Sequence, residues 1–347
     1  MLSLQSNPDG IDVRVLGSHV RLDSPVLSVA DVAFLEPDLT GAEWVDWAVS
    51  VCREEQVDVL WATREAAAVA AAAERFAQVG TKVLVPSVAA LRGTAAKSDV
   101  YERAERLGIP TPPWTTATGP VEAARAVRAM RPHSPDGVCV KPDSGQGAEE
   151  VYRLVDAADG LPSAWELPTP LWVEHTRRHP DLCWIVLPWL PGPEHSIDAL
   201  RSRDGRLLAA CVRTKSPATH EQVARHDPHL VDLSARLLAD LDVAPLGNVQ
   251  FRERSGLPVL LEVNPRASGG IYRSSAALGV DLVWAAIRAE LLGDAGVTET
   301  VTLRGREVRT TTLEMILPVP PTLVIHGADL ADLDAKVGGT VPSITSA

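Results

Sequence analysis

The segment "GNVQFRERSGLPVLLEVN", residues Gly247–Asn264, restricts the fold more than any other. Two apolar runs are joined by "RSGLP", a turn too short for anything but antiparallel neighbours. With Gly256 at the turn centre, Gln250 falls opposite Glu262. Side chains two apart on a strand share a face, so Glu262 and Asn264 point one way and Val263 the other. Gln250, Glu262 and Asn264 thus bring three oxygen donors to the end of a strand that otherwise builds a core. Such a set suits Mg²⁺, which takes few protein oxygens and several from phosphate. The run continues "PRASGG", placing Arg266 where a guanidinium pairs with a phosphate oxygen. A polar strand end satisfied by solvent is the plainer reading of any one of these residues, but it explains the four together poorly.

The first ninety or so residues alternate strand and helix. "DVRVLGSH" and "VAFLE" read as strands, "AEWVDWAVSVCREEQ" as a helix and "VDVLWA" as a buried strand. "REAAAVAAAAERFAQVG" reads as one helix and "KVLVPS" as a further strand. Alternation of this kind predicts a parallel, doubly wound lobe. Its ligand edge would carry Ser18, His19, Thr63, Arg64 and Glu65. The usual opening strand, Gly-rich turn and helix do not appear, so either the start has been placed late in the sequence or the lobe is reduced and lacks its first strand. A helix "KSDVYERAERLG" holding Lys97 follows, then an Ala/Arg helix near Val121–Met130. From Gly137 to Glu262 the pattern turns to strands, with "LWVEH" read among them. Only "HLVDLSARLLADL" interrupts as a helix. "GVDLVWAAIRAELLG" reads as a closing helix, and "EVRTTTLEMILPVP" as strand-like. No internal repeat is evident.

Two further motifs lie in the strand-rich part. In "GVCVKPDSGQGAEE", Lys141 ends an apolar strand and the loop through Ser144, Gly145 and Gly147 lets backbone N–H groups approach a phosphate. The alternative is an ordinary hairpin turn. In "WIVLPWLPGPEHSIDAL", backbone groups at Pro188, Trp189 and Leu190 are placed to bond an adenine edge, with Glu194 on ribose hydroxyls. The alternative is a Pro-rich crossover with a solvated Glu.

In this order and spacing the motifs resemble the ATP-grasp superfamily, nearest its carbamoyl-phosphate-synthase-like branch, over residues 89–292. The resemblance implies α/β and α+β architecture: a pre-ATP-grasp lobe at 1–88, an N-terminal ATP-grasp lobe at 89–185, a C-terminal lobe at 186–300, and a strand and tail at 301–347. It implies that Lys97 and Lys141 contact phosphates and that Glu194 meets the ribose. It implies Gln250, Glu262 and Asn264 as ligands of Mg²⁺ (or Mn²⁺), and Arg266 as the group stabilising the transferred phosphoryl. It departs from the family at Pro188, where relatives often carry Glu. Pro keeps a carbonyl but has no N–H, so an adenine donor must come from Trp189 or Leu190.

The expected activity is an ATP-dependent ligase that joins a carboxylate to an amine or thiol through an acyl phosphate. In "CVRTKSPATH", Arg213 and Lys215 are candidates for the acceptor side, the alternative being a solvated basic strand face; His220 reads as a surface histidine. Carboxyphosphate chemistry and a non-catalytic ATP-binding module are the alternatives. Net charge is −12 with no basic tail, which argues against nucleic acid and anionic membranes as partners. The four cysteines are widely spaced and suggest buried free thiols rather than a zinc site. No signal peptide or membrane-length apolar run is seen. A cytoplasmic enzyme of small-molecule substrates is expected, with a homodimer left open.

Overall fold

The computed structural model describes residues 4, 6–145, 150–155, 164–215, 221–304 and 307–310, and the backbone of two late strands, 323–325 and 344–346. The chain divides into two units. The first takes Met1–Val85, Val283–Gly296 and Thr312–Ala347; the second takes Pro86–Leu282 and Val297–Thr311.

The first unit opens with β1 (Leu16–His19), α1 (Pro25–Ser28), β2 (Val32–Leu35), α2 (Gly41–Glu54), β3 (Val59–Leu60), α3 (Ala66–Ala71), α4 (Ala73–Ala77) and β4 (Lys82–Val83). Helix α2 buries Trp44, Val45, Ala48, Val49 and Cys52, a stripe at three- and four-residue spacing. The Ala-rich stretch forms two short helices rather than the one its periodicity suggests. Strand β1 pairs in parallel with β2, and β3 with β4.

The second unit continues with α5 (Val88–Gly93), α6 (Lys97–Arg106), β5 (Thr115–Thr118), α7 (Gly119–Met130), β6 (Val138–Pro142), β7 (Tyr152–Val155), β8 (Glu166–Pro168), α8 (Thr169–Arg178), β9 (Cys183–Pro188), β10 (Glu194–Arg201), β11 (Leu207–Lys215), β12 (Gln222–Arg225), α9 (Pro228–Asp240), β13 (Leu246–Arg254), β14 (Leu257–Asn264) and α10 (Ile271–Leu278). The segment "LWVEH" lies in α8 and not in a strand. Pro170 sits in its first turn, and Trp172 and Thr176, four apart, are its buried face while Leu171 is exposed. The apolar run was too short to distinguish the two periods.

The remaining elements are α11 (Leu282–Leu292), β15 (Val301–Thr302), β16 (Val308–Thr310), β17 (Leu323–Ile325) and β18 (Ile344–Ser346). They do not form a separate tail. Strands β15 and β16 join the second unit's larger sheet, while β17 and β18 extend the first unit's sheet in the order β1-β2-β17-β18. The segment Thr311–Pro320 of the expected strand-like tail lies outside the described residues.

Two sheets make up the second unit: a five-stranded one, ordered β5-β9-β6-β7-β8, and a seven-stranded one, ordered β14-β13-β10-β11-β12-β16 with β15 beside β11. Strand β9 is buried on both faces, which accounts for its unbroken apolar run. Ile185 and Leu187 face one core, Trp184 and Val186 the other.

The larger sheet is amphipathic. Ile197, Val212, Val249, Phe251, Leu260 and Val263 pack with Leu230, Leu233, Leu237 and Leu238 of α9. The helix starts with Asp227, whose Oδ1 accepts the Leu230 N–H at 3.0 Å, and Pro228 follows in the first turn. The alternate residues of the same strands form cross-strand rows on the other face: Glu262, Gln250, Ser196 and Arg213 in one, and Asn264, Asn248 and Asp198 in the next. Truncating Leu237, fully buried in this core, is expected to cost about 2–5 kcal/mol; chemical denaturation of Leu237→Ala measures it.

Candidate active site

The hairpin β13–β14 places Gln250 opposite Glu262 and Asn248 opposite Asn264. The register shifts between Gln250 and Phe251, so Leu260 pairs with Phe251 and Leu261 is the extra residue of a bulge. Leu260 therefore faces the core while Glu262, two positions on, faces the polar side.

Two hydrogen bonds orient the amides of this cluster. Asn264 Nδ2 donates to Glu262 Oε1 at 2.9 Å, and Gln250 Nε2 donates to Asn248 Oδ1 at 3.1 Å. Each engages the nitrogen end of an amide and leaves its oxygen as the outward acceptor. One carboxylate and two amide oxygens form a hard donor set that fits Mg²⁺. Among the described residues no group of three or more His, Cys, Asp or Glu gathers as a metal site, so a binding edge here depends on the amide oxygens. Arg266 follows, with Nη1 donating to the Ala267 carbonyl at 3.1 Å.

Lys141 is 4% exposed. Its Nζ donates to the carbonyl of the bulge residue Leu261 at 3.1 Å, as does the Tyr101 hydroxyl at 2.9 Å. Burial opposes its charge, but Tyr101, Cys139 and Glu262 outweigh that and raise its pKa above the ordinary lysine value. Lys97 opens α6, and its Nζ donates to the carbonyls of Pro142, Asp143 and Gly145 at 3.0, 3.3 and 3.2 Å. Burial, then the charge of Lys141, lowers its pKa, while Glu262 and Asp143 pull the other way. Glu262 thus lies within electrostatic reach of both lysines.

The loop after β6 is fastened to the start of α6. Asp143 accepts the Ser98 N–H at 2.8 Å and the Ser98 hydroxyl at 2.7 Å, its carbonyl accepts the Lys97 N–H at 2.9 Å, and Ser144 bridges to Ala96. Gly145 takes φ +116°, where a side chain would be strained. Gly147 lies outside the described residues, as does His220.

At the other motif, Pro188 pairs with Val138 in the β9–β6 register. The Trp189 N–H already donates to the Gly137 carbonyl at 2.7 Å. This narrows the expected hinge donor to Leu190, whose own carbonyl accepts Arg252 Nη1 at 2.9 Å. Glu194 is held between Lys215, bonded to its Oε1, and Arg252, 3.4 Å from its Oε2. Lys215 is therefore engaged with Glu194 across β10–β11 instead of standing open to an acceptor.

Arg213 departs furthest from its expected role. It is 1% exposed. Its Nε donates to Asp198 Oδ2 at 3.0 Å and Ser274 Oγ at 2.8 Å. Its Nη2 donates to Asp198 Oδ2 at 2.7 Å, Ser268 Oγ at 3.0 Å and Ser196 Oγ at 3.3 Å, and its Nη1 bonds Gln222. It is a buried clamp on the loop after Arg266, with all three of its nitrogens engaged by protein oxygens. Sequence reasoning passed over Asp198, Ser196 and Asn248. The signal was there in the period-two polar residues of "EHSIDAL". In the first unit, Arg64 pairs with Glu36 at 2.9 Å, and Glu36 also accepts from Ser18 and Trp44. Glu65 accepts the Gly41 N–H at 3.0 Å, and His19 Nδ1 accepts the Arg21 N–H at 3.0 Å. These residues hold one another in place.

Comparison with known proteins gives the fold. The chain matches the biotin carboxylase domain of Hydrogenobacter thermophilus 2-oxoglutarate carboxylase, crystallised with MgADP, ADP and bicarbonate. The TM-score is 0.60 at 15% identity over 81% of this chain. This is an ATP-grasp fold. The ADP complex of PurK, N5-carboxyaminoimidazole ribonucleotide synthetase, matches at 0.58 and 15% identity, covering 79% of this chain and 69% of that one. The ATP-analogue complex of Campylobacter jejuni biotin carboxylase matches at 0.59 and 15% identity over 79% of this chain. The chain spans 64% of each of the two carboxylase chains. Residues 181–314 match a family model described as ATP-grasp in the biosynthetic pathway with Ter operon. That stretch takes in the β13–β14 hairpin, Glu194 and Arg213.

Arg213→Met leaves Asp198, 0% exposed, without its counter-charge. A loss of about 3–5 kcal/mol in unfolding free energy is expected, read by urea denaturation.

Proposed function

We propose that the protein is an ATP- and Mg²⁺-dependent ligase that joins a carboxylate to an amine through an acyl phosphate. The observation that carries this reading is the polar edge of β13–β14. There the Glu262 carboxylate accepts from the Asn264 amide nitrogen and lies opposite Gln250 across the hairpin, within electrostatic reach of two lysines. The ADP- and ATP-analogue-bound structures that share the fold support it.

In the reaction proposed, a carboxylate oxygen attacks the γ-phosphorus, ADP leaves, and the amine then displaces phosphate from the acyl phosphate. Gln250, Glu262 and Asn264 would hold Mg²⁺, which when bound supplies neutralising charge to phosphate oxygens. Lys141 and Lys97 rest on carbonyls in the free protein, and phosphate oxygens would replace those acceptors. Leu190 contributes the hinge N–H and Pro188 the hinge carbonyl. Glu194, held between Lys215 and Arg252, presents a fixed carboxylate edge to the ribose. Arg266 meets the transferred phosphoryl. The acceptor carboxylate is bound by groups other than Arg213.

The test is ADP release across a panel of amino acids and small acids, with hydroxylamine as trap. ADP formed together with a hydroxamate supports the ligase. Turnover stimulated by bicarbonate alone points to carboxyphosphate chemistry, and ATP binding without turnover points to a binding module. Glu262→Ala is expected to lower turnover at least a hundredfold, on the order of several kcal/mol of charge stabilisation, with its unfolding curve unchanged.

A pH effect follows from Lys97. Its depressed pKa means that its charge is lost at lower pH than an ordinary lysine's. Nucleotide affinity should fall as pH rises through that value. Lys97→Arg keeps its charge throughout, so calorimetric titrations across alkaline pH should show its fall displaced upward or absent.

A further inference from the structure

The buried polar face of the larger sheet contains one amide whose orientation is fixed from both ends. Asn248 is 0% exposed. Its Nδ2 donates to the Ile197 carbonyl at 3.2 Å, to Asp198 Oδ1 at 2.9 Å and to Ser196 Oγ at 2.9 Å. The first is an acceptor only, and so is the second, since Asp198 is ion-paired with Arg213 at 2.7 Å. The Asn248 nitrogen must therefore face inward. Its Oδ1 is left facing Gln250, whose Nε2 donates to it at 3.1 Å. The Gln250 oxygen then has one direction left, away from Asn248 and toward the edge shared with Glu262.

We infer that Asn248 is a positioning residue that passes the fixed geometry of the Asp198–Arg213 pair to Gln250 and so presents the Gln250 oxygen to a divalent cation. This rests on the metal reading under Proposed function. An amide is two-faced: flipped, Gln250 would turn an NH₂ toward the cation, and the donor set would lose an oxygen and gain a repulsive dipole. Neither Asn248 nor Asp198 touches the cation. Their effect passes through hydrogen bonds, as with the outer partners of other metal ligands. Ser196 strengthens the relay, because its Oγ also accepts from Arg213 Nη2 and cannot easily turn away.

A double-mutant cycle separates this role from general loosening of the core. Mn²⁺ binding to the ADP complex is measured by electron paramagnetic resonance in the wild type, Asn248→Ser, Gln250→Glu and the double variant. Asn248→Ser is expected to weaken Mn²⁺ binding about tenfold. In the Gln250→Glu background the same change should cost less than about twofold or even improve binding, because a carboxylate presents an oxygen whichever way it turns. Equal losses in both backgrounds overturn the relay and leave the metal reading standing. No Mn²⁺ binding by the wild-type ADP complex overturns the metal reading and the relay with it. Should Asn248→Ser fail to fold, the wild-type protein still decides. The Gln250 side-chain amide, assigned by its disappearance in Gln250→Glu, should exchange its protons slowly in nitrogen-edited NMR spectra. Exchange as fast as that of solvent-exposed glutamines overturns the proposal.

Discussion

The ion pair between Asp198 and Arg213 is the interaction on which the second unit's functional face depends. Taking both charges out of water costs several kcal/mol per ion, and mutual attraction offsets this only when the remaining donors and acceptors are also satisfied. Here they are. Asp198 accepts from Arg213, Ser274 and Asn248, and Arg213 also reaches Ser196, Ser268 and Gln222. The pair therefore joins β10, β11, β13, α10 and the loop after β14 into one arrangement. A Cβ on Gly270 would lie 2.4 Å from Arg213 Nη1, so the second glycine of "SGG" is required by how closely the loop lies on the guanidinium.

The bulge at Leu261 is the second constraint. An uninterrupted β14 would alternate strictly, and Leu260 and Glu262 would share a face. One residue would then be misplaced, either a leucine on the polar side or a carboxylate in the core. The extra residue resolves the conflict, and the carbonyl it turns out of the ladder receives Lys141 and Tyr101. The irregularity that places the carboxylate also anchors the lysine of the smaller sheet.

Much of this was legible in the residues. The pairing of Gln250 with Glu262 was legible but its cause was not, since Arg254 pairs with Leu257 and only the bulge at Leu261 brings Gln250 opposite Glu262; the alternation of strands and helices marks the first unit. Three further features were not legible. The segment "LWVEH" has apolar residues at positions that suit either period, and the Pro170 start of α8 was the overlooked clue. Arg213 on a strand reads as a solvated or substrate-binding cation, because sequence does not show that α10 and its preceding loop cover that face. Trp189 reads as an available donor until the Gly137 carbonyl is seen opposite it. The Arg213 and Trp189 readings turn on long-range partners, whereas the "LWVEH" ambiguity is one of local period.

The order of the strands in the first unit bears on how the chain is made. Strands β17 and β18 pair beside β2, yet all the residues of the second unit lie between them and β2 in the sequence. A ribosome therefore synthesises the whole second unit before the last two strands of the first sheet exist. Every residue of the hairpin, the bulge and the Asp198–Arg213 pair is made before β17, which pairs with β2. The lobe that begins first in the chain is the last to finish its sheet, and an exposed β2 edge is the form of the nascent chain that would need protection from mispairing.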